Sequence, residues 1–410
     1  MKLIILEELY MKAFLYKAKG ALALTLAMSM FCPQVFAAEA LSAAEQGVQE
    51  APAVVLTPEE IIAQALPTIT VEEALEKAIK YNPTLKDLED SLDFMKESDE
   101  KIYDRIGSVK IPSYEYKRWT SAGMHGLVSS VYQLESGMKQ AKLAEKIQKM
   151  ALEVTVKSMF SNIKQTQENL QLVQKNADIQ QRLYEQGYTK YRLGMLSKYN
   201  LDQLQVAADQ AKGNAALLET TLEQTYIKFN NLIGENPEKR FEFVYDVTFK
   251  PYEMTQTIDQ YINSALKEDL SIQIQELTTD AAKFKKNYRN YEALTSTDDA
   301  DALDYDKQKR ALKTAKENKE LLIRNAYLQL DQMETMYASA QSALTKAQAG
   351  YRVTQVNYQA GNVTKTVVEQ AEMGVISAQN ALNEIVYNYD MLVYTFENPS
   401  LLADTGAAAK

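Results

Sequence analysis

A turn sequence that occurs twice constrains the fold of this chain more than any other feature. Residues 191–198 read Tyr-Arg-Leu-Gly-Met-Leu-Ser-Lys, and residues 358–365 read Tyr-Gln-Ala-Gly-Asn-Val-Thr-Lys. A glycine, Gly194 or Gly361, holds the same place in each copy, 167 positions apart. Glycine readily adopts the positive φ found where helices end, so each copy predicts a tight turn between two helices.

Each turn is followed by mostly apolar residues spaced alternately three and four positions apart. The first series is Leu201, Leu204, Ala208, Ala211, Ala215, Leu218, Leu222, Thr225 and Phe229. The second series, also 167 positions later, is Val368, Ala371, Val375, Ala378, Leu382, Ile385, Tyr389, Leu392 and Phe396. This is the heptad spacing of a left-handed coiled coil. We therefore predict a mainly all-α fold of duplicated long antiparallel helical hairpins with coiled-coil packing and at most short β segments.

A second pattern, at an offset of 187, marks where each half begins. The apolar series that starts at Val71 returns from Ile258 onward. Thr70 precedes the first series and Glu73 follows Thr70 by three positions, which is the pattern of a capping box. The first half holds 20 more residues between its start and its turn than the second half does. We assign these to an irregular stretch, residues 107–126.

The remaining elements follow from the same periodicity. One long helix is predicted over residues 127–188, and another ends at Tyr358 after an acidic loop at 295–303. Aromatic and β-branched residues at 241–247 predict a short strand. We divide the chain into a signal peptide (1–38), a linker (39–69), a first helical repeat (70–250), a second helical repeat (251–398) and a tail (399–410).

The N-terminal residues have the pattern of an export signal. Lysines at 12, 17 and 19 precede the apolar run 21–30, and small residues end the segment at Ala37 and Ala38. Translation from Met11 would give this signal its usual length. An uncleaved membrane anchor is the alternative. Cys32, the single cysteine of the chain, lies within the signal, so the exported protein is expected to have neither disulfides nor thiol chemistry.

Composition excludes several classes of function. The net charge of −10 provides no basic stripe for nucleic acid, so no nucleic-acid partner is expected. His125 is the only histidine, which rules out histidine-based catalytic triads and multi-histidine metal clusters. The aspartates near residues 298–306 lack the glycine and glutamate of an EF-hand loop. We therefore predict a protein that is not an enzyme, with no catalytic residues, no metal site and no cofactor.

The duplicated turn and the opening helix together resemble those of the TolC family of outer-membrane efflux proteins. The match rests on the two turn sequences at Gly194 and Gly361, on the opening stretch from Val71 to Leu85, and on the signal peptide. It covers residues 70–398. The resemblance implies a homotrimer whose helices form a duct through the periplasm. It also implies export to the outer membrane and periplasm of a diderm bacterium.

The resemblance further implies that the two turns contact a periplasmic adaptor, or membrane fusion protein, which joins the duct to an inner-membrane pump. The implied adaptor-binding residues are Leu193, Gly194, Met195, Ala360, Gly361 and Asn362. The alternative interpretation is that both glycines only end their helices and need no partner.

Two departures from the family pattern leave a second function open. Members of the family carry barrel strands between the helices, and a pair of membrane-spanning strands with its turn needs about 25 residues. The stretches at 108–119 and 295–303 are too short or too charged, so we expect a reduced or missing barrel. Members of the family also carry acidic side chains six and nine positions after the second glycine. In this chain those positions hold Val367 and Gln370. The alternative function is a barrel-less helical scaffold or tether in the cell envelope, with no pore of its own.

Overall fold

The computed structural model describes residues 66–106, 122–287 and 297–402. The predicted signal peptide, residues 39–65 of the predicted linker and residues 403–410 of the predicted tail lie outside the described residues. Within those ranges, no helix combines the length and the apolar character needed to cross a membrane.

Long helices dominate the described part of the chain. In sequence order, the elements are β1 (Thr68–Ile69), α1 (Val71–Tyr81), α2 (Pro83–Ile106), α3 (Ala122–Arg192), α4 (Lys198–Ile233), β2 (Glu242–Phe243), α5 (Ile258–Glu268), α6 (Leu270–Asn287), α7 (Thr297–Gln359) and α8 (Lys365–Glu397), followed by a 3-10 turn (Pro399–Leu401). The predicted all-α fold of duplicated helical hairpins is confirmed. At 1.5 Å per residue, the 71 residues of α3 extend roughly 105 Å.

The repeat predicted from sequence is visible in the backbone caps. Thr70 and Glu73 form the predicted capping box at the start of α1, and Thr257 and Gln260 form its counterpart at the start of α5. Each of these helices ends at a residue whose side chain then caps the next helix. Asn82 Oδ1 accepts a hydrogen bond of 3.0 Å from the Leu85 amide, and Asp269 Oδ1 accepts one of 2.9 Å from the Ile272 amide.

The two heptad series face inward in both hairpins. None of their members is exposed, and α4 packs along α3 as α8 packs along α7. Each series ends in a fully buried phenylalanine, Phe229 in one core and Phe396 in the other. The extended connection from residue 241 to 254 supplies aromatic side chains to both cores. Packing of these long seams therefore holds each hairpin together.

The four long helices lie side by side in the order α4, α3, α8, α7. Helix α8 packs on both α7 and α3, so the two hairpins share the α3–α8 contact. This contact is polar along its length. Glu153 accepts a hydrogen bond from the Tyr394 hydroxyl at 2.7 Å, Glu168 accepts one from Asn383 at 2.9 Å, and Arg182 pairs with Glu369 at 2.6 Å. Residue numbers rise on α3 as they fall on α8, so both turns point to the same end of the row.

Two sequence predictions of where helices begin need correction. Helix α3 begins at Ala122, so the irregular stretch ends earlier than Gly126 and His125 lies in a helix. A glycine costs a helix only about 1 kcal/mol, which is too little to end one that packs over many turns. The predicted acidic loop at 295–303 is helical from Thr297. Its aspartates lie in the first turns of α7, where the helix dipole favours negative charge.

The predicted strand at 241–247 is shorter than expected. Only Glu242 and Phe243 form β2, which pairs in parallel with Thr68 and Ile69 of β1. The sequence assigns Thr68 and Ile69 to the linker, but Ile69 is buried in the core of the first repeat. A two-residue strand suffices here because the flanking aromatic side chains, Phe241 and Tyr245, are fixed by packing in that core.

A buried ion pair fixes the chain after α8. Lys319 of α7 lies 3.2 Å from Asp269, and both side chains are almost completely buried. The Lys319 ammonium also donates to the carbonyls of Pro399 and Leu402, each at 2.9 Å. Asn82 and Leu152 hold the corresponding positions of the first repeat. The predicted tail is thus anchored at its beginning by residues that the first repeat does not share.

We expect Lys319→Leu to lower the free energy of unfolding by about 3–5 kcal/mol, because it leaves the Asp269 carboxylate buried without its cation. Adding Asp269→Asn recreates the pair found in the first repeat and should recover most of that loss. Chemical denaturation at a fixed protein concentration measures both effects. A double variant as unstable as the sum of the two single variants would contradict this account of the pair.

Burial raises the pKa of the Glu168 carboxyl at the α3–α8 contact. Hydrogen bonds from Asn383 and Tyr387 and the charge of Lys164 oppose this effect but are smaller. The second carboxyl oxygen of Glu168 is buried and has no hydrogen-bond partner among the described residues. Burial, followed by the charge of Glu168, raises the pKa of the Tyr387 hydroxyl to about 12. The folded protein therefore holds a proton on Glu168 more tightly than the unfolded chain does.

Because the pKa of Glu168 is higher in the folded protein than in the unfolded chain, we expect its contribution to stability to fall as the pH rises from the ordinary glutamate pKa to the raised pKa of the folded state. Glu168→Gln should remove that part of the pH dependence and be at least as stable as the wild type at pH 7. Denaturation curves measured at several pH values test this. Glu219→Gln, on the exposed face of α4, is the control. An unchanged pH profile in Glu168→Gln would show that the carboxyl is not the responsible group.

Candidate functional site

The two predicted turns have the same backbone structure. Gly194 has a φ of 71° and Gly361 a φ of 76°. In the first turn, the Met195 amide donates to the Lys190 carbonyl at 2.8 Å, and in the second the Asn362 amide donates to the Asn357 carbonyl at the same distance. The glycine amides also donate backward, to residues 191 and 358. These bonds are those of a Schellman motif, which requires a residue with positive φ.

We call the first turn, residues 193–197, tip 1 and the second, residues 360–364, tip 2. All six predicted site residues are exposed on these tips: Leu193, Gly194, Met195, Ala360, Gly361 and Asn362. A Cβ at Gly194 or Gly361 would meet no atom within 4 Å in the described structure. The glycines are therefore required by the backbone conformation and not by crowding, and the space above both of them is open.

The chemistry of the two tips differs. Tip 1 carries Leu193 and Met195, which are 69% and 72% exposed. Tip 2 carries Ala360 and Asn362 at the corresponding positions. Ser197 caps α4 by accepting a hydrogen bond from the Asn200 amide at 3.2 Å, whereas Thr364 makes no such bond at the start of α8.

Sequence reasoning missed a glycine that supports tip 1. A Cβ at Gly187 would lie 2.4 Å from a methyl of Leu204 and 3.5 Å from one of Leu196. Absence of a side chain at Gly187 therefore allows α4 to approach α3 closely just below the turn. The corresponding residue of the second hairpin is Thr354. A glycine opposite a heptad leucine is the sequence signal that could have revealed this position.

The structure also locates Val367 and Gln370, which replace the acidic positions of the TolC family, and Glu369 between them. Glu369 is 13% exposed and pairs with Arg182 of α3 at 2.6 Å and with Lys365 at 3.8 Å. It therefore joins the two hairpins just below the tips. Val367 and Gln370 are exposed on other sides of α8.

No group of three or more His, Cys, Asp or Glu side chains in the described ranges lies close enough together to hold a metal ion. The exposed tips, with their matched backbones and open glycines, are the clearest candidate site of the described structure.

Comparison with known proteins identifies the architecture. No family model and no curated protein sequence matches the chain. Among solved structures, the outer-membrane protein VceC of Vibrio cholerae has a TM-score of 0.60 at 11% identity, with 81% of this chain and 96% of VceC covered. The CmeC outer-membrane channel of Campylobacter jejuni has a TM-score of 0.57 at 12% identity, with coverages of 92% and 96%.

The open state of the MtrE outer-membrane channel of Neisseria gonorrhoeae has a TM-score of 0.56 at 12% identity, with 82% of this chain and 90% of MtrE covered. These similarities extend over nearly the whole length of each channel, although few residues are shared. The same overall fold is thus adopted by proteins with very different sequences. The chain has the TolC-like fold of outer-membrane channels.

Proposed function

We propose that this protein is the outer-membrane component of an export system. Three copies, the number implied by the TolC resemblance, form a helical duct in the periplasm, and their tips dock on an adaptor of an inner-membrane pump. The observation that carries the proposal is the arrangement of the two hairpins. They form one row of four helices with two outer edges and with both tips at the same end.

The two edges of the row support assembly with further copies. Helix α4 exposes Leu217 to 68%, and α7 exposes Leu328 and Val353 to 64% and 61%. Apolar side chains exposed along a helix edge favour a protein partner. Because the α4 edge and the α7 edge differ, a contact between the α4 edge of one copy and the α7 edge of the next is head-to-tail. Such contacts form a ring when the rotation between copies closes.

The tips support docking. Six exposed residues on two matched turns offer backbone and side chains to a partner, with the glycines leaving room for close approach. We assign the adaptor contact to Leu193, Gly194, Met195, Ala360, Gly361 and Asn362. The predicted signal peptide supports export, and we propose that the assembly lies in the outer membrane and periplasm of a diderm bacterium, where it transports molecules and catalyses no reaction.

We expect Gly361→Glu to abolish export while the protein level and the oligomeric state stay unchanged. Glutamate at a φ of 76° costs roughly 1–2 kcal/mol, which is too little to unfold the hairpin, but it adds a charged side chain to the docking surface. The measurement is the sensitivity of the producing strain to a panel of toxic compounds, compared with a deletion strain.

Gly374→Glu is the matched control, because Gly374 is exposed on α8, has open space around it and lies away from the tips. It should retain export. Normal export by Gly361→Glu would contradict the assignment of tip 2 to the docking surface.

Fractionation of cells distinguishes the duct from the helical scaffold considered above. The proposed function predicts oligomers in the outer-membrane fraction that require detergent for extraction. Release of the protein in soluble form by osmotic shock would contradict the duct and favour the scaffold.

A further inference from the structure

Charge is distributed unevenly near the two tips. Residues 186–201 contain Lys190, Arg192 and Lys198 and no acidic residue. Residues 335–368 contain Lys346, Arg352 and Lys365 and again no acidic residue. At the chain average of 55 acidic residues in 410, these 50 positions would hold about seven. The tip end is therefore basic in a protein whose net charge is −10.

The cations that flank tip 1 are available to a partner. Lys190, Arg192 and Lys198 are exposed, and none forms an ion pair with another described residue. They surround Leu193 and Met195, and Tyr199 follows on α4. These three apolar side chains are 69%, 72% and 70% exposed, the highest values of any large apolar side chain in the described ranges. Tip 1 is thus an apolar centre with a basic rim.

Tip 1 also extends further than tip 2. On the α3–α8 contact, Arg182 lies opposite Glu369, and Glu168 lies opposite Asn383. Continued to the ends of the helices, this register places Gly361 level with Lys190, four positions before Gly194. At 1.5 Å per residue, tip 1 extends roughly 6 Å beyond tip 2. A partner approaching along the axis of the row therefore meets tip 1 first.

We propose that tip 1 is the principal docking element and that its partner presents an acidic protein surface with an apolar recess for Leu193 and Met195. This inference rests on the proposed function and specifies the chemistry of the adaptor. Opposite charge steers association and fixes orientation, while burial of the apolar centre provides affinity. Ala360 and Asn362 of tip 2 can contact the side chains of a protein surface. Neither is a large apolar residue that could insert into a lipid layer.

The test measures binding of the full-length oligomer in detergent to each purified periplasmic adaptor of the source organism, prepared without its lipid anchor. A variant with Lys190→Glu, Arg192→Glu and Lys198→Glu should bind about tenfold more weakly or worse at low salt, and the difference from wild type should shrink at high salt. Leu193→Ser with Met195→Ser should bind more weakly at both salt concentrations.

The matched control changes Lys139, Lys142 and Lys146 to glutamate, which alters the net charge equally at exposed positions of α3 far from the tips. It should bind like the wild type. Equal binding by the wild type and both tip 1 variants would overturn this inference and leave the proposed function standing. Failure of every adaptor to bind the wild type would overturn both.

A parallel measurement uses vesicles of phosphatidylglycerol and phosphatidylethanolamine. Adaptor binding that depends on tip 1, with no vesicle binding, supports an acidic protein partner. Vesicle binding that depends on the same residues, without adaptor binding, would overturn the inference in favour of an anionic membrane surface.

Discussion

Packing along the two heptad seams is the interaction on which the rest of the structure depends. Helices of 71 and 63 residues are stable only when a continuous apolar face is covered, because isolated helices gain little in water. In each hairpin the heptad residues of the second helix cover the apolar face of the first. These residues run from Leu201 to Phe229 on α4 and from Val368 to Phe396 on α8. The buried face of α4 is narrow, so its other faces remain exposed along the edge of the row. The same periodicity that stabilises each hairpin therefore leaves a surface on which copies can assemble.

The polar α3–α8 contact, together with the packing of α6 on both α3 and α7, places the two hairpins relative to each other. Ion pairs and hydrogen bonds at Glu153, Glu168 and Arg182 fix one register between the hairpins, and this register sets tip 1 ahead of tip 2. The two repeats have similar helical hairpins but different side chains. The second repeat has the buried Asp269–Lys319 pair where the first has Asn82 and Leu152. Likewise, the tips keep the same glycine turn but present different surfaces.

The features that were predictable from the sequence are those that depend on neighbouring or periodic residues. The turns at Gly194 and Gly361, the heptad seams and the capping box at Thr70 belong to this class, since a local pattern determines each of them. Contacts between distant segments were not predictable. The pairing of β1 with β2, the position of Glu369 and the anchoring of Pro399 by Lys319 depend on the register between helices, which no single segment encodes. The aspartates near residue 300 were misassigned because acidic residues favour loops and helix starts alike.

Cross-linking between the α4 and α7 edges tests the central claim, that copies of this row close into a duct. In a Cys32→Ser background, Leu217→Cys would be paired in turn with Thr345→Cys, Gln348→Cys and Arg352→Cys, exposed residues of α7 at about the same height. Within one chain, α3 and α8 separate these positions by roughly 27 Å, so a disulfide can form only between copies. The account predicts a ladder of cross-linked dimers and trimers that ends at the trimer. Monomers alone, or a ladder that continues past the trimer, would contradict it.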